Sequence, residues 1–298
     1  MNDAVRFPKL YDKYDKNAVN QQRKFLWSLK SEVGFLICVH FLSFLVFPLI
    51  SKYKWLPFIV NIFLLTFNLL ISCKKYWQGI AEEKYWYKSR AYAESIKSVV
   101  WKFYMRTKRY RFKGDITSAL KKSMSVIVPV KVEEIDDSDI SDIVKKAEQY
   151  QKLDWKDRKK LYLEQRVLNQ LNWYKKKSKL NADNNLYFRR LILIFASGAL
   201  LSMMASGILI LYKFEYQSYL LNVANMFVTS SMIFIGWSQI KRYNELSETY
   251  DLTAKEIENL IEEGNLIVDE CSFGHWVEDS ETAFSREHTM WGARRNVV

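Results

Sequence analysis

LILIFASGALLSMMASGILIL, residues Leu191 to Leu211, holds no Asp, Glu, Lys or Arg. As a helix rising about 1.5 Å per residue, such a stretch crosses the roughly 30 Å of hydrocarbon in a bilayer. A second uncharged stretch, Leu220 to Ile240 (LLNVANMFVTSSMIFIGWSQI), follows after a short interval, so the two read as a membrane hairpin. Towards the N-terminus, Val33 to Ile50 (VGFLICVHFLSFLVFPLI) and Trp55 to Cys73 (WLPFIVNIFLLTFNLLISC) repeat the arrangement. The expected fold is an all-α membrane protein. Its four transmembrane helices form two hairpins, at 33–50, 55–73, 191–211 and 220–240, and long cytoplasmic helices form a bundle.

The formal net charge is +12, and much of the excess flanks the hairpins. Arg23, Lys24 and Lys30 precede the first, and Lys74, Lys75, Lys84 and Lys88 follow it. Lys175, Lys176, Lys177, Lys179, Arg189 and Arg190 precede the second, with Lys241 and Arg242 after it, whereas the connecting loops hold only Lys52, Lys54 and Lys213. Lys and Arg collect on the cytoplasmic side of membrane proteins, so both termini are expected there. The opening MNDAVRFPKLYDKYDK lacks the apolar core of a cleaved leader, which leaves the first span as targeting signal. Loops this short argue against an extracellular receptor or surface enzyme.

Residues 113–142 hold the β-prone run SVIVPVKV and the acidic run EEIDDSDISD. They are expected to form a linker between a first helix–hairpin–helix unit, 1–112, and a second, 143–298, with a C-terminal helix near 284–295. Residues 74–111 and 156–187 lack proline and repeat apolar residues at helical spacing; Leu161, Val167, Leu168, Leu171 and Tyr174 form one such stripe. Residues 241–267 are expected to continue the fourth span as one helix stopped near Gly264. Apolar stripes on long polar helices need a cover, within the chain or across subunits, and a homo-oligomer follows, most simply a tetramer. Gly198, Ser202 and Ala205 share a face of the third span and would let backbones approach.

Inside the spans, Asn222, Asn225 and Thr229 recur at steps of three and four, with Met232 and Gly236 on the same side. Such a face suits a water-filled pore narrowed at Met232, and suits hydrogen bonding between helices equally. Asn61 and Asn68 form a second polar stripe. Outside the spans, Arg90, Glu94, Lys97 and Trp101 share a helical face, as do Phe284, Glu287, His288, Trp291 and Arg295, with Arg286 beside them. The basic run Arg106, Lys108, Arg109, Arg111 and Lys113 is interleaved with Tyr110 and Phe112, and Trp173 adds a further aromatic. Cations beside tryptophan can hold a base and its phosphate, making Lys97, Trp101, Arg106, Arg109, Arg111, Trp173, Arg286, Trp291 and Arg295 candidate ligand-binding residues. Acidic lipid at the membrane surface is an alternative partner for the basic run, and internal ion pairs are another reading of the stripes. No phosphate loop, GxSxG or HExxH occurs, and the three cysteines and three histidines have no metal-binding spacing. No enzyme activity, cofactor or metal is expected.

RAYAESIKSVVW (90–101), YLEQRVLNQLNWY (162–174) and FSREHTMWGARR (284–295) together resemble the tandem form of the SLATT domains, two-transmembrane effectors associated with nucleotidyltransferase and SLOG-type sensor systems. The resemblance implies a bacterial anti-phage effector in the inner membrane. A nucleotide or oligonucleotide signal from a companion nucleotidyltransferase, or a partner protein, would gate a pore that permeabilises the membrane. The competing expectation is a non-conducting membrane-anchored sensor or scaffold that recruits a cytoplasmic partner.

Overall fold

The structure is a computed structural model describing residues 5–46, 55–110, 116–212 and 217–295. Among these residues every regular element is helical. In chain order they are α1 (Lys9–Val46), α2 (Leu56–Tyr104), α3 (Ile116–Ile127), α4 (Asp137–Gln151), α5 (Trp155–Tyr162), α6 (Leu168–Leu211), α7 (Gln217–Lys241), α8 (Tyr243–Asn265) and α9 (Glu270–Arg295). A π-turn, Leu163–Val167, joins α5 to α6. The chain divides into a core unit, Met1–Arg23, Glu82–Lys176 and Tyr250–Val298, and a membrane unit, Lys24–Ala81 and Lys177–Thr249.

Among the described residues, three helical stretches are long and apolar enough to cross a membrane: Lys9–Leu42, Trp155–Leu211 and Tyr219–Asn265. Within the membrane unit, α6 and α7 meet through aromatic rings. Phe195 lies 5.7 Å from Phe227 and 5.2 Å from Phe234, ring centre to ring centre. A Cβ added at Gly198 would fall 3.2 Å from the Phe227 ring, so this glycine lets α7 approach α6 within the hairpin. Elsewhere the apolar residues turn outward: Leu193, Ile194, Leu200, Leu201, Met203 and Met204 on α6 are all exposed. That outward coat is what lipid covers.

The core unit is held by buried aromatics. Trp101 and Trp276 each meet the ring of Tyr162 edge-on, at 5.6 and 5.5 Å, and Tyr104 meets Tyr150 at 5.3 Å. Val167, Leu171 and Tyr174 of the expected stripe are buried, with Leu161 and Leu168 packed against the same core.

Four expectations about local structure change. The β-prone run forms no strand: SVI closes α3, whose Leu120 and Met124 are buried, Val128 continues the core after it, and a 3-10 turn begins at Val132. The acidic run starts α4, where Asp136 caps the helix by accepting from the Ser138 amide, and Ile140 and Ile143 enter the core. Its carboxylates hold the N-terminus, through Arg6 to Asp142 at 2.8 Å and Lys9 to Asp136 at 2.9 Å, and the Lys9 amide donates to Asp139 at 2.7 Å. Helix α2 ends at Tyr104, short of Arg111, because Arg106 is left-handed (φ 56°) and the amides of Arg106 and Thr107 donate back to Phe103 and Lys102. This is the two-bond helix stop usually built on glycine. Finally, residues 241–267 do not continue α7 unbroken: Arg242, left-handed at φ 51°, separates α7 from α8. Gly264 is no left-handed stop either. It lies in the last turn of α8, where a Cβ would come within 2.7 Å of the Trp276 ring.

Candidate functional site

Helix α7 carries the first candidate face. Ala224 and Ser231 are buried on one side, while Asn225 and Met232 are exposed on another, Met232 to 64%. Asn222, Thr229 and Gly236 are half-covered, and a Cβ at Gly236 would meet nothing within 4 Å. Thr229 is satisfied within its own helix, its hydroxyl donating to the Asn225 carbonyl at 3.0 Å. Of this set, Asn225 and Met232 therefore turn away from the rest of the described chain. Asn61 and Asn68 fall on α2, but their side chains lie outside the described residues.

Aromatic residues mark both ends of the membrane unit. Trp55, Tyr212 and Tyr219 are exposed at the hairpin turns, and Trp27 and Tyr187 are exposed towards the other end. Such belts sit at the two membrane–water boundaries.

The second candidate region lies in the core unit, where Arg90, Glu94, Lys97 and Trp101 do share a face. That face points inward. Arg90 bridges Asp15 on α1 at 3.1 Å and Glu94 at 2.8 Å. Arg166, placed on the π-turn and only 2% exposed, sends Nε and Nη2 to the two oxygens of Glu281 on α9, each at 2.9 Å. Its Nη1 lies 4.0 Å from Glu94, and Tyr162 donates to Glu281 at 2.9 Å. Burial works against the Arg166 charge, but Glu281 outweighs it and raises the pKa. Burial, followed by the Glu281 charge, pushes the Tyr162 phenol well above its ordinary range. Burial lowers Lys97 despite Glu94 beside it.

This network corrects the ligand reading for part of the set. Three cations, Arg90, Lys97 and Arg166, are balanced by Asp15, Glu94 and Glu281, so no excess charge is left for a phosphate. Trp101, 2% exposed and packed against Tyr162, has no open face for a base. Trp173 is half-buried against Tyr174 and Tyr250, at 4.9 and 5.5 Å. In the basic run, Tyr110 is buried and donates to Ser123, while Arg106 occupies the helix stop and Lys108 and Arg109 are exposed. Cations out and aromatic in is an arrangement for charge, not for stacking. Arg111 lies outside the described residues, and Arg286, Trp291 and Arg295 fall on α9 with side chains outside them. Sequence reading missed Arg166 and Glu281 as partners. The signal was there in their steps of three and four to buried neighbours, Tyr162 for one and Val277 and Phe284 for the other.

Among the described residues, helices long and apolar enough to cross a membrane beside a separately folded helical unit mark a membrane protein, and family comparison gives the particular kind. Residues 8–149 match SMODS and SLOG-associating 2TM effector domain 3, and residues 162–291 match SMODS and SLOG-associating 2TM effector domain 1. The chain belongs to the SLATT family and carries two of its domains in tandem. Comparison with curated proteins and with solved structures gave no match. The Glu94–Arg166 contact is therefore where buried charges of the two domains meet.

Proposed function

We propose that this chain is the membrane effector of a bacterial anti-phage, abortive-infection system. Several copies, four in the simplest arrangement, surround a gated pore in the inner membrane. A nucleotide or oligonucleotide from a companion nucleotidyltransferase opens it. Four spans are expected of two two-transmembrane domains, and α2, 49 residues long, carries 56–73 within one helix. The basic flanks of both hairpins favour cytoplasmic termini.

The observation that carries the pore is the exposure of Asn225 and Met232 on α7. An amide turned into hydrocarbon without a partner costs several kcal/mol, so Asn225 needs water or a second copy. Its own chain leaves it exposed. Copies arranged with this face inward give Asn225 an aqueous path, with Met232 as an apolar constriction that dewets when closed.

The test uses Met232→Cys in a chain whose Cys38, Cys73 and Cys271 are serine, reconstituted in liposomes with the candidate signal. Crosslinks between copies and a current blocked by a water-soluble thiol reagent are expected. Intact oligomers without current, with Met232→Cys reached only by lipid-soluble reagents, would overturn the pore and return the non-conducting scaffold.

A further inference from the structure

Lysines of α1, α6 and α7 come together in the membrane unit. Lys241 is the last residue of α7, and its ammonium lies 5.7 Å from the ring centre of Trp237. The Trp237 indole donates to the Tyr243 hydroxyl at 3.2 Å, and Tyr243 is buried and stacked on Phe188 of α6 at 5.5 Å. Ser178 and Ser247 donate their hydroxyls to each other's carbonyls at 3.0 and 3.1 Å, so the part of α6 that begins at Lys177 runs beside this corner. Lys30, exposed on α1, completes the group: its charge and that of Lys177 both act on the Lys241 ammonium.

Partial burial pushes the pKa of Lys241 down, and Lys30 and then Lys177 push it further the same way. The carbonyl end of α7 favours one cation there, not three from separate helices. Arg242 beside them is matched by Glu245 at 2.6 Å. Glu32 and Asp183 share helices with Lys30 and Lys177 but stand about 200° and 240° around the helix axis from them. Glu248, which accepts from Asn244 at 2.7 Å, offsets at most one of the three charges. Like charges held together on partly desolvated groups cost free energy, which a bound anion offsets.

The place fits a lipid phosphate better than a soluble one. Lys30 stands three residues before the uncharged stretch 33–50, and Lys241 directly follows 220–240, so both sit at the depth where headgroups begin. Trp27, 72% exposed and one turn from Lys30, belongs at the same boundary. Ile240 beside Lys241 is exposed, as is Leu186, one residue from the hydrogen bond that Asn185 donates to Asn244. These two give an acyl chain apolar surface in the same stretches that carry the cations, which suits an amphiphile. Basic pockets between spanning helices hold acidic headgroups in this way.

We infer that Lys30, Lys177 and Lys241 bind the phosphate of an acidic phospholipid at this end of the membrane unit. The site depends neither on a pore nor on a soluble signal.

The experiment uses the full chain in mild detergent, titrated with phosphatidylglycerol, phosphatidylcholine or sodium phosphate, with bound lipid counted by native mass spectrometry. Phosphatidylglycerol should bind at least about tenfold more tightly than phosphatidylcholine. Lys30→Gln with Lys241→Gln should weaken phosphatidylglycerol at least about tenfold, taking about fivefold for each lysine at a lipid surface, and Lys30→Arg with Lys241→Arg should restore it. Arg189→Gln with Arg190→Gln removes the same charge from an exposed part of α6 and should change the affinity by less than about threefold. Thermal unfolding guards against misfolding: without lipid, Lys30→Gln should melt no lower than the wild type, because a like charge has left the group. Phosphatidylglycerol should raise the wild-type midpoint and leave that of the double glutamine variant unchanged. Equal affinity for the two lipids, an equal loss with Arg189→Gln and Arg190→Gln, or a lower lipid-free midpoint for Lys30→Gln overturns the site. So does displacement of bound phosphatidylglycerol by sodium phosphate at comparable concentration, which would make the occupant a soluble anion.

Discussion

Arg166 and Glu281 face each other through two parallel hydrogen bonds of 2.9 Å, both closed off from solvent. The pair ties the π-turn to α9, and the guanidinium also lies 5.0 Å from the ring of Phe284. A π-turn widens one turn of helix by a residue, and such turns recur at positions that must aim a particular side chain.

Removing one partner of this pair leaves a buried charge uncompensated. Glu281→Met and Arg166→Met are each expected to destabilise the core unit by about 3–5 kcal/mol, whereas the double change to methionine at both positions should cost much less than their sum. Thermal unfolding followed by tryptophan fluorescence in mild detergent measures it. Additive losses would mean that the two side chains do not depend on each other.

Gly264→Ala places a methyl group 2.7 Å from Cζ2 of Trp276, whose indole also donates to the Leu260 carbonyl at 2.6 Å. The ring is 5% exposed and has little room to retreat, so a loss of about 1–3 kcal/mol is expected from overpacking. Adding Trp276→Phe should recover part of it, which a melting series on the single and double variants checks.

Asp136 has its pKa held well below the ordinary 3.8, first by its hydrogen bond from Lys9 and then by those from Ser138. A carboxylate depressed in the folded state contributes stability that is present above 3.8 and is lost as the pH falls through the lower folded value. Acidification towards that lower folded value should therefore loosen Lys9 from α4. A carboxyl-carbon NMR titration of Asp136 should give a midpoint below 3.8, and Lys9→Met should move it upward.

On α7, Met232→Ser should raise basal ion leakage, since a hydroxyl at the constriction wets it, while Asn225→Leu should suppress current with membrane insertion intact. If Asn225 instead bonds to a neighbouring copy, its replacement weakens assembly by about 0.6–2 kcal/mol and native gels show smaller species. Single-channel recording beside those gels distinguishes the outcomes.

The sequence by itself determined the helical class, the position of the apolar stretches and the family, because each of these is written in local composition or short motifs. Uncharged runs such as 191–211 need no partner to be recognised, and the spacing of Val167, Leu171 and Tyr174 marks a covered face wherever the cover comes from. Only the tertiary structure decided what lies on those faces. Arg90, Glu94 and Lys97 share a side in any helix, but their neutralisation depends on Asp15, Arg166 and Glu281, which arrive from distant parts of the chain. The residues just before Pro129 are β-prone, yet Ser125–Ile127 join helix α3, because Leu120 and Met124 find a core at helical spacing. The stops at Arg106 and Arg242 were invisible for a related reason: a left-handed turn is disfavoured for arginine, and the surrounding hydrogen bonds and packing, not the residue's own preference, hold it there.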